Sequence, residues 1–202
     1  MLNVFDSVFN PSLIEVYDNA LTERECEILI SQFERTEPEM RSFYHDGLEL
    51  GQYGNHVDGS YKKCKETSFS FTDKSVISNI IFPVLSNYIN KYLIAYNLLD
   101  QMRGRLKVYN RYNVQKYETE DDGFKEWHCE HAFDKSSRMR TMAWMFYVNN
   151  AKSGTYFYDH SNVRAKIGRL VIWPAGWTHV HRGAPNKGLK YIVTGWVGSD
   201  II

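Results

Sequence analysis

The sequence predicts an α+β chain, mainly β, in which a sandwich or barrel of short strands is backed by N-terminal helices. Three observations carry this. Apolar residues recur at helical spacing in two stretches of the first half. From Arg103 onward the pattern changes to seven or eight short strands divided by turn signals. No internal repeat, Gly/Ser linker or Pro-rich tract splits the 202 residues, a length that suits one generous domain. Residues 1–102 then read as helical support with a loop, and residues 103–202 as the β core.

Taken in order, Thr22-Glu23-Arg24-Glu25 is a capping box. Cys26, Ile28, Leu29, Ile30 and Phe33 follow as the apolar face of a helix about a dozen residues long. A second helical region runs from about Lys74 to Tyr96, with Val76, Ile77, Ile80, Ile81, Val84, Leu85, Tyr88, Ile89, Tyr92 and Leu93 as apolar positions. Pro83 is expected to kink it or to open its second part. Between them, Arg41 to Glu66 interleaves Gly47, Gly51, Gly54 and Gly59 with aromatic residues and histidines and has no sustained period. That stretch reads as a long loop or irregular hairpin, the kind of segment that serves as a lid. Strands are expected at Leu106–Tyr112, Met139–Val148, Gly154–Tyr158, Val163–Lys166, Arg169–Trp173, Thr178–Arg182 and Lys190–Val197. Asn149-Asn150, Lys166-Ile167-Gly168, Pro174-Ala175-Gly176 and Asn186-Lys187-Gly188 supply turns between them.

Composition narrows the function classes. Hydrophobic residues make up 43%, charged residues 24% and aromatics 15%, which excludes a disordered or collagenous chain. The most apolar run, Val76 to Leu99, is broken by Ser78, Asn79, Ser86, Asn87, Asn90 and Lys91, so no membrane span is expected. The start, MLNVFDSVFNPSLIEVYD, shows no basic, apolar leader, and a cytoplasmic location is expected. Cys26, Cys64 and Cys129 are odd in number and unclustered, which fits reduced packing thiols rather than a disulfide frame or a CxxC zinc site. Formal net charge is zero, yet it divides as 8 − 15 = −7 over residues 1–101 and 16 − 9 = +7 over residues 102–202. The second half suits an anionic ligand, whereas a general nucleic-acid binder would be more basic overall.

Trp127-His128-Cys129-Glu130-His131 reads as a short strand, on which alternate side chains share a face. His128 and Glu130 would then point together, opposite Trp127, Cys129 and His131. One imidazole and one carboxylate on one face are two thirds of the facial triad that holds non-haem Fe(II). The third member is sought in Trp177-Thr178-His179-Val180-His181-Arg182-Gly183, where strand parity leaves His179 and His181 both open.

Residues 112–196 resemble the double-stranded β-helix (a jelly-roll, cupin-like core) of the 2-oxoglutarate and Fe(II)-dependent dioxygenases, most closely the prolyl 4-hydroxylase-like branch with its small phage members. The family pattern of histidine, one residue, acid, distal histidine and a later basic residue is met by His128, Glu130, His181 and Lys190. His181-Arg182-Gly183-Ala184-Pro185 resembles the family's His-x-Gly-x-Pro and favours His181 over His179. Gly168-Arg169-Leu170-Val171-Ile172-Trp173-Pro174 resembles the strand that leads to the distal histidine. Ser153-Gly154-Thr155-Tyr156-Phe157 resembles a shortened Gly-Gly-x-Thr-x-Phe segment, whose threonine lies near the cosubstrate. Tyr117, eleven residues before His128, resembles the tyrosine that reaches the cosubstrate, with Tyr112 as the alternative. Arg140 and Trp196 resemble the residues that flank a prolyl substrate.

The resemblance implies iron on His128, Glu130 and His181, with 2-oxoglutarate held by Lys190, Tyr117 and Thr155. It also implies dioxygen as co-reactant and ascorbate as a reductant. A peptide or protein substrate would be hydroxylated at an unactivated C–H bond, most simply at proline, while 2-oxoglutarate is decarboxylated to succinate. Glu130 departs from the family's usual aspartate by one methylene, and the acidic segment Glu118–Gly123 is slightly longer than the family's turn. Two other readings stay open at this level: the same cofactors acting on a free amino acid, another side chain or a nucleobase, and a silent metal-binding barrel that serves as an interaction module.

Overall fold

The Thr22 hydroxyl accepts the Glu25 amide at 3.2 Å while the Glu25 carboxylate accepts the Thr22 amide at 2.8 Å, so the capping box starts a helix where expected. This is α1, Glu23–Glu34, in a computed structural model that describes residues 12–36, 38–45, 53–54, 61–96, 105–131, 135–159 and 161–199. The second helix, α2, spans Val76–Ala95, capped by the Ser75 side chain on the Ser78 amide. It continues through Pro83 as one element, because a proline removes a single amide donor and the surrounding turns bury enough surface to hold the helix.

The strands are β1 Glu15–Tyr17, β2 Glu39–His45, β3 Tyr53–Gly54, β4 Lys62–Ser70, β5 Leu106–Tyr117, β6 Gly123–Phe124, β7 Arg140–Tyr147, β8 Gly154–Phe157, β9 Asn162–Arg164, β10 Arg169–Pro174, β11 His181–Gly183 and β12 Lys190–Ser199. The major sheet runs β1-β10-β7-β12-β5-β4-β2-β3, with β6 on β4, and the minor sheet runs β11-β8-β9. Sequence neighbours are rarely sheet neighbours: β12 lies between β5 and β7, paired antiparallel to both.

Alternation along β7 shows how two cores are separated. Trp144 and Phe146 face α1 and α2 together with Leu29, Phe33, Ile81 and Leu85, while Ala143, Met145 and Tyr147 face the barrel interior with Tyr117, Phe157, Trp173 and Ile192. Helices on one face and the minor sheet on the other leave the interior as a cup open at one end.

Three expectations meet the structure. First, of the two readings of residues 41–66, the irregular hairpin holds over its described parts: β2 and β4 pair antiparallel from Glu39↔Glu66 to Phe43↔Lys62. Alternation in Lys62-Lys63-Cys64-Lys65-Glu66 was hidden because polar side chains lie on both faces. Residues 46–52 and 55–60 of that stretch, with His56, fall outside the described residues, as does His160. Second, Thr178–Arg182 is not one strand: a 3₁₀ turn over Trp177–His179 precedes β11, since Pro174-Ala175-Gly176 ends β10 in a tight corner. Third, Trp127–His131 forms no strand, and His128 alone makes a β-bridge with His181.

Candidate active site

That bridge builds the site. The His128 amide donates to the His181 carbonyl at 2.9 Å and the His181 amide to the His128 carbonyl at 2.8 Å, so two residues far apart in sequence share one rung. Glu130 is fixed in turn by its amide on the Ala175 carbonyl at 3.0 Å. One nitrogen from each histidine and one Glu130 oxygen lie within 4.8 Å of one another, and the His181 Nε2 to Glu130 Oε1 distance is 3.2 Å. Each imidazole places Nδ1 2.9 Å from a backbone carbonyl, His128 on Glu126 and His181 on His179. A carbonyl only accepts, so Nδ1 carries a proton on both rings and Nε2 is the atom turned toward the cluster.

Electrostatics favour the ligand forms. Burial, reinforced by neighbouring His181, pushes His128 down to about 3, so this imidazole is neutral. Burial alone would raise Glu130, but the His181 hydrogen bond, the two imidazoles and Trp196 outweigh it and hold the carboxyl at about 2. Two imidazole nitrogens and one carboxylate oxygen converging in a buried pocket form a donor set that fits Fe(II).

His179 is turned away by the 3₁₀ turn, its Nε2 2.7 Å from the Ser12 carbonyl. Tyr112 is likewise elsewhere: its hydroxyl meets Ser78 Oγ at 2.8 Å in the helix-facing core, and its ring stacks on Phe69 and Phe71. Tyr117, Thr155 and Lys190 instead line one cavity together with His128, Glu130 and His181. Lys190 sits opposite Tyr117 in the β12–β5 register, its Nζ 4.5 Å above the Tyr117 ring. It is 4% exposed, and burial pulls it from 10.5 to about 8. No carboxylate among the described residues pairs with it. A buried cation with an aromatic face and no counter-ion calls for an anionic guest.

Arg140 and Trp196 also reach the site, but onto Glu130. The Trp196 indole N–H donates to Glu130 Oε2 at 2.6 Å, and the Arg140 guanidinium lies 3.7 Å from the Trp196 ring while donating to the Glu130 carbonyl at 3.0 Å. The carboxylate is thereby divided, Oε1 toward the imidazoles and Oε2 held by the indole.

Sequence reasoning missed several lining residues: Lys62, Asn113, Gln115, Tyr147 and Arg182. Gln115 accepts the Tyr117 hydroxyl at 2.6 Å and donates to Glu66, which also takes Lys62 Nζ at 2.7 Å. Tyr147 meets Thr155 Oγ1 at 2.7 Å. Gln115 was legible as an alternate residue of β5, two before Tyr117; Lys62 and Glu66 were not, because β4 itself was not. Among the described residues, no helix is long and apolar enough to cross a membrane.

Comparison with known proteins agrees with this geometry. Residues 109–198 match the model of the 2OG-Fe(II) oxygenase superfamily. No curated protein sequence matches the chain. Among solved structures, the viral collagen prolyl hydroxylase of Paramecium Bursaria Chlorella virus-1, in its 2OG complex, superposes with TM-score 0.64 at 16% identity, covering 96% of this chain and 99% of its own. A Pseudomonas putida prolyl-4-hydroxylase gives 0.63 at 12% identity over 95% of both chains. A Trichoplax adhaerens prolyl hydroxylase in complex with a hypoxia inducible factor peptide fragment gives 0.66 at 14% identity, over 95% of this chain and 86% of that one. At these identities the structures speak for the fold, and the matched residues 109–198 contain the whole His-Glu-His cluster. Residues 109–198 are thus similar to the 2OG-Fe(II) oxygenase superfamily, and the chain has the fold of solved prolyl hydroxylases.

Proposed function

We propose that this chain is a 2-oxoglutarate- and Fe(II)-dependent dioxygenase that hydroxylates a prolyl residue in a peptide or protein, with His128, Glu130 and His181 as iron ligands and Lys190, Tyr117 and Thr155 as the cosubstrate pocket. The observation that carries the site is the pairing of a His-Glu-His cluster with an uncompensated buried lysine in one cavity. The prolyl reading is supported by the solved structures of like fold, one of them bound to a peptide. Bound together, Fe(II), 2-oxoglutarate and dioxygen supply oxidative decarboxylation to succinate coupled to attack on a C–H bond.

The chain's residues do the rest. Two Nδ1–H groups on backbone carbonyls orient the imidazoles, and the shared rung fixes their separation. Lys190 neutralises the far carboxylate of the cosubstrate at the closed end of the cup, and Tyr117 and Thr155 supply hydroxyls beside it. Trp173 and Phe157, packed 5.0 and 5.6 Å from His181, keep water from the ligand's rear face. Trp196 and Arg140 spread Glu130 so that one oxygen remains for the metal, which lets the longer acid occupy a position that aspartate usually fills.

The test is mass spectrometry of proline-containing peptides incubated with Fe(II), 2-oxoglutarate, ascorbate and air, alongside succinate release. A gain of one oxygen on proline, stoichiometric with succinate, is expected. Succinate formed with oxygen on a free amino acid, another side chain or a nucleobase would replace the prolyl assignment. The role of Trp196 has its own check, since Trp196→Phe keeps the ring under Arg140 and removes only the N–H. A fall of roughly tenfold in Fe(II) affinity, read by anaerobic titration, is expected for losing an outer partner of a ligand. Unchanged affinity with a raised peptide KM would return Trp196 to a substrate role alone.

A further inference from the structure

The hydrogen bonds that lead to the Tyr117 hydroxyl run in one direction only. Glu66 stands opposite Gln115 in the β4–β5 register, and Tyr117, two residues further along β5, stands opposite Lys190 in the β5–β12 register. The row therefore crosses three strands toward the buried lysine. Lys62 Nζ donates to Glu66 Oε2 at 2.7 Å, and Gln115 Nε2 donates to the same oxygen. An ion-paired carboxylate only accepts, so the Gln115 amide must turn its nitrogen to Glu66 and its Oε1 to Tyr117. Tyr117 answers as a donor, its hydroxyl 2.6 Å from that oxygen.

Tyr117 has one proton to give. Burial pushes its titration well above the usual 10, so the group stays a hydroxyl. Gln115, Tyr117 and Lys190 are all buried, and all three line the catalytic cavity. The proton that would meet an anion beside Lys190 is thus engaged on Gln115, and the Tyr117 oxygen has only lone pairs left to offer. Thr155 differs: its hydroxyl and that of Tyr147 share one hydrogen bond at 2.7 Å, which leaves the pair a second proton for a guest.

We propose that Gln115, oriented by Glu66, is a positioning residue that lowers the affinity for 2-oxoglutarate by holding the Tyr117 proton away from the far carboxylate. The inference rests on the proposed cosubstrate pocket. To donate to that carboxylate, Tyr117 must turn its O–H from Gln115, and the Oε1 of a buried amide then loses its donor. Gln115 cannot compensate by turning over, because its oxygen would then face the Glu66 carboxylate. The pocket binds its cosubstrate less tightly than its donors would allow, and turnover requires a correspondingly higher 2-oxoglutarate concentration.

The experiment is a calorimetric titration of 2-oxoglutarate, under nitrogen, into the full-length protein loaded with Fe(II). Wild type, Gln115→Leu, Tyr117→Phe and the double variant Gln115→Leu/Tyr117→Phe close a double-mutant cycle. Gln115→Leu keeps the Lys62–Glu66 pair and removes the acceptor, so it is expected to bind 2-oxoglutarate about fivefold tighter than wild type, the scale of one net hydrogen bond. In the Tyr117→Phe background the same exchange is expected to change affinity by less than about twofold, since the proton it would release is gone. A residue that only packs the sheet would leave binding unchanged or weaken it. Either result overturns the inference, as does an equal gain in both backgrounds. Gln115→Met, closer in length, repeats the test, and melting curves report whether each variant folds; if neither does, Gln115 is structural and the inference falls. Wild type that takes up no 2-oxoglutarate would sink the pocket reading itself, whereas binding without coupling would leave that reading in place and remove only the role of Gln115.

Discussion

Exchanging Lys190 for Met is expected to weaken 2-oxoglutarate binding by roughly 10²–10³-fold, the usual scale for removing one partner of a buried charge pair, and at the same time to raise the melting temperature of the protein without cosubstrate. Both effects have one cause. The lysine titrates near 10.5 in the unfolded chain and at about 8 when buried against Tyr117. The fold therefore disfavours its charged form. That cost is fully present below about pH 8 and fades as pH rises toward 10.5, where the unfolded chain also loses the proton. Two and a half pH units correspond to about 3 kcal/mol, and Met removes the charge while keeping the length. Thermal melts of both proteins at pH 7, with and without 2-oxoglutarate, read out the prediction. Wild type should gain the more from added cosubstrate, and Lys190→Met should start higher and gain little. A variant that melts lower, or that binds 2-oxoglutarate like wild type, would remove Lys190 from the assigned role.

His181→Ala is expected to abolish turnover and to lower Fe(II) affinity by more than the roughly 10–100-fold typical of an outer partner, while His179→Ala leaves both within a few-fold. The contrast follows from direction. His181 Nε2 points at Glu130, whereas His179 Nε2 is committed to the Ser12 carbonyl. Loss of that part-buried hydrogen bond is expected to cost about 1 kcal/mol of stability and nothing at the metal. Anaerobic Fe(II) titration with 2-oxoglutarate, followed by the visible charge-transfer band, separates the two variants. A band retained by His181→Ala and lost by His179→Ala would exchange their roles.

The contrast between these histidines also marks the boundary of what could be read from sequence. Periodicity located both helices and most strands because Leu29, Phe33, Ile81 and Leu85 must face one apolar layer, and alternation in β7 must serve two. It did not find β1, three residues long, or β4, whose faces are both polar. The His-Glu-His cluster was legible as residue types in an order that resembles a family. Its choice among histidines was not legible from parity, since the expected strand over 178–182 breaks into a turn at Trp177–His179. Arg140 and Trp196 were found by position but not by contact: sequence spacing cannot show that an indole ends on a carboxylate. Lys62 and Glu66 escaped because a hydrogen-bond chain across two strands has no one-dimensional signature.

The rung shared by His128 and His181 has a consequence for how the protein comes to hold its metal. Both halves of that rung are main-chain groups, and the residues they join are separated by 181 − 128 = 53 positions. Contacts of such sequence separation are entropically costly to close and tend to form late, after local helices and hairpins have already committed. Only His128 and Glu130 are near in sequence, so the third donor is expected to join them when the rung closes, and refolding rates are expected to be indifferent to the concentration of iron.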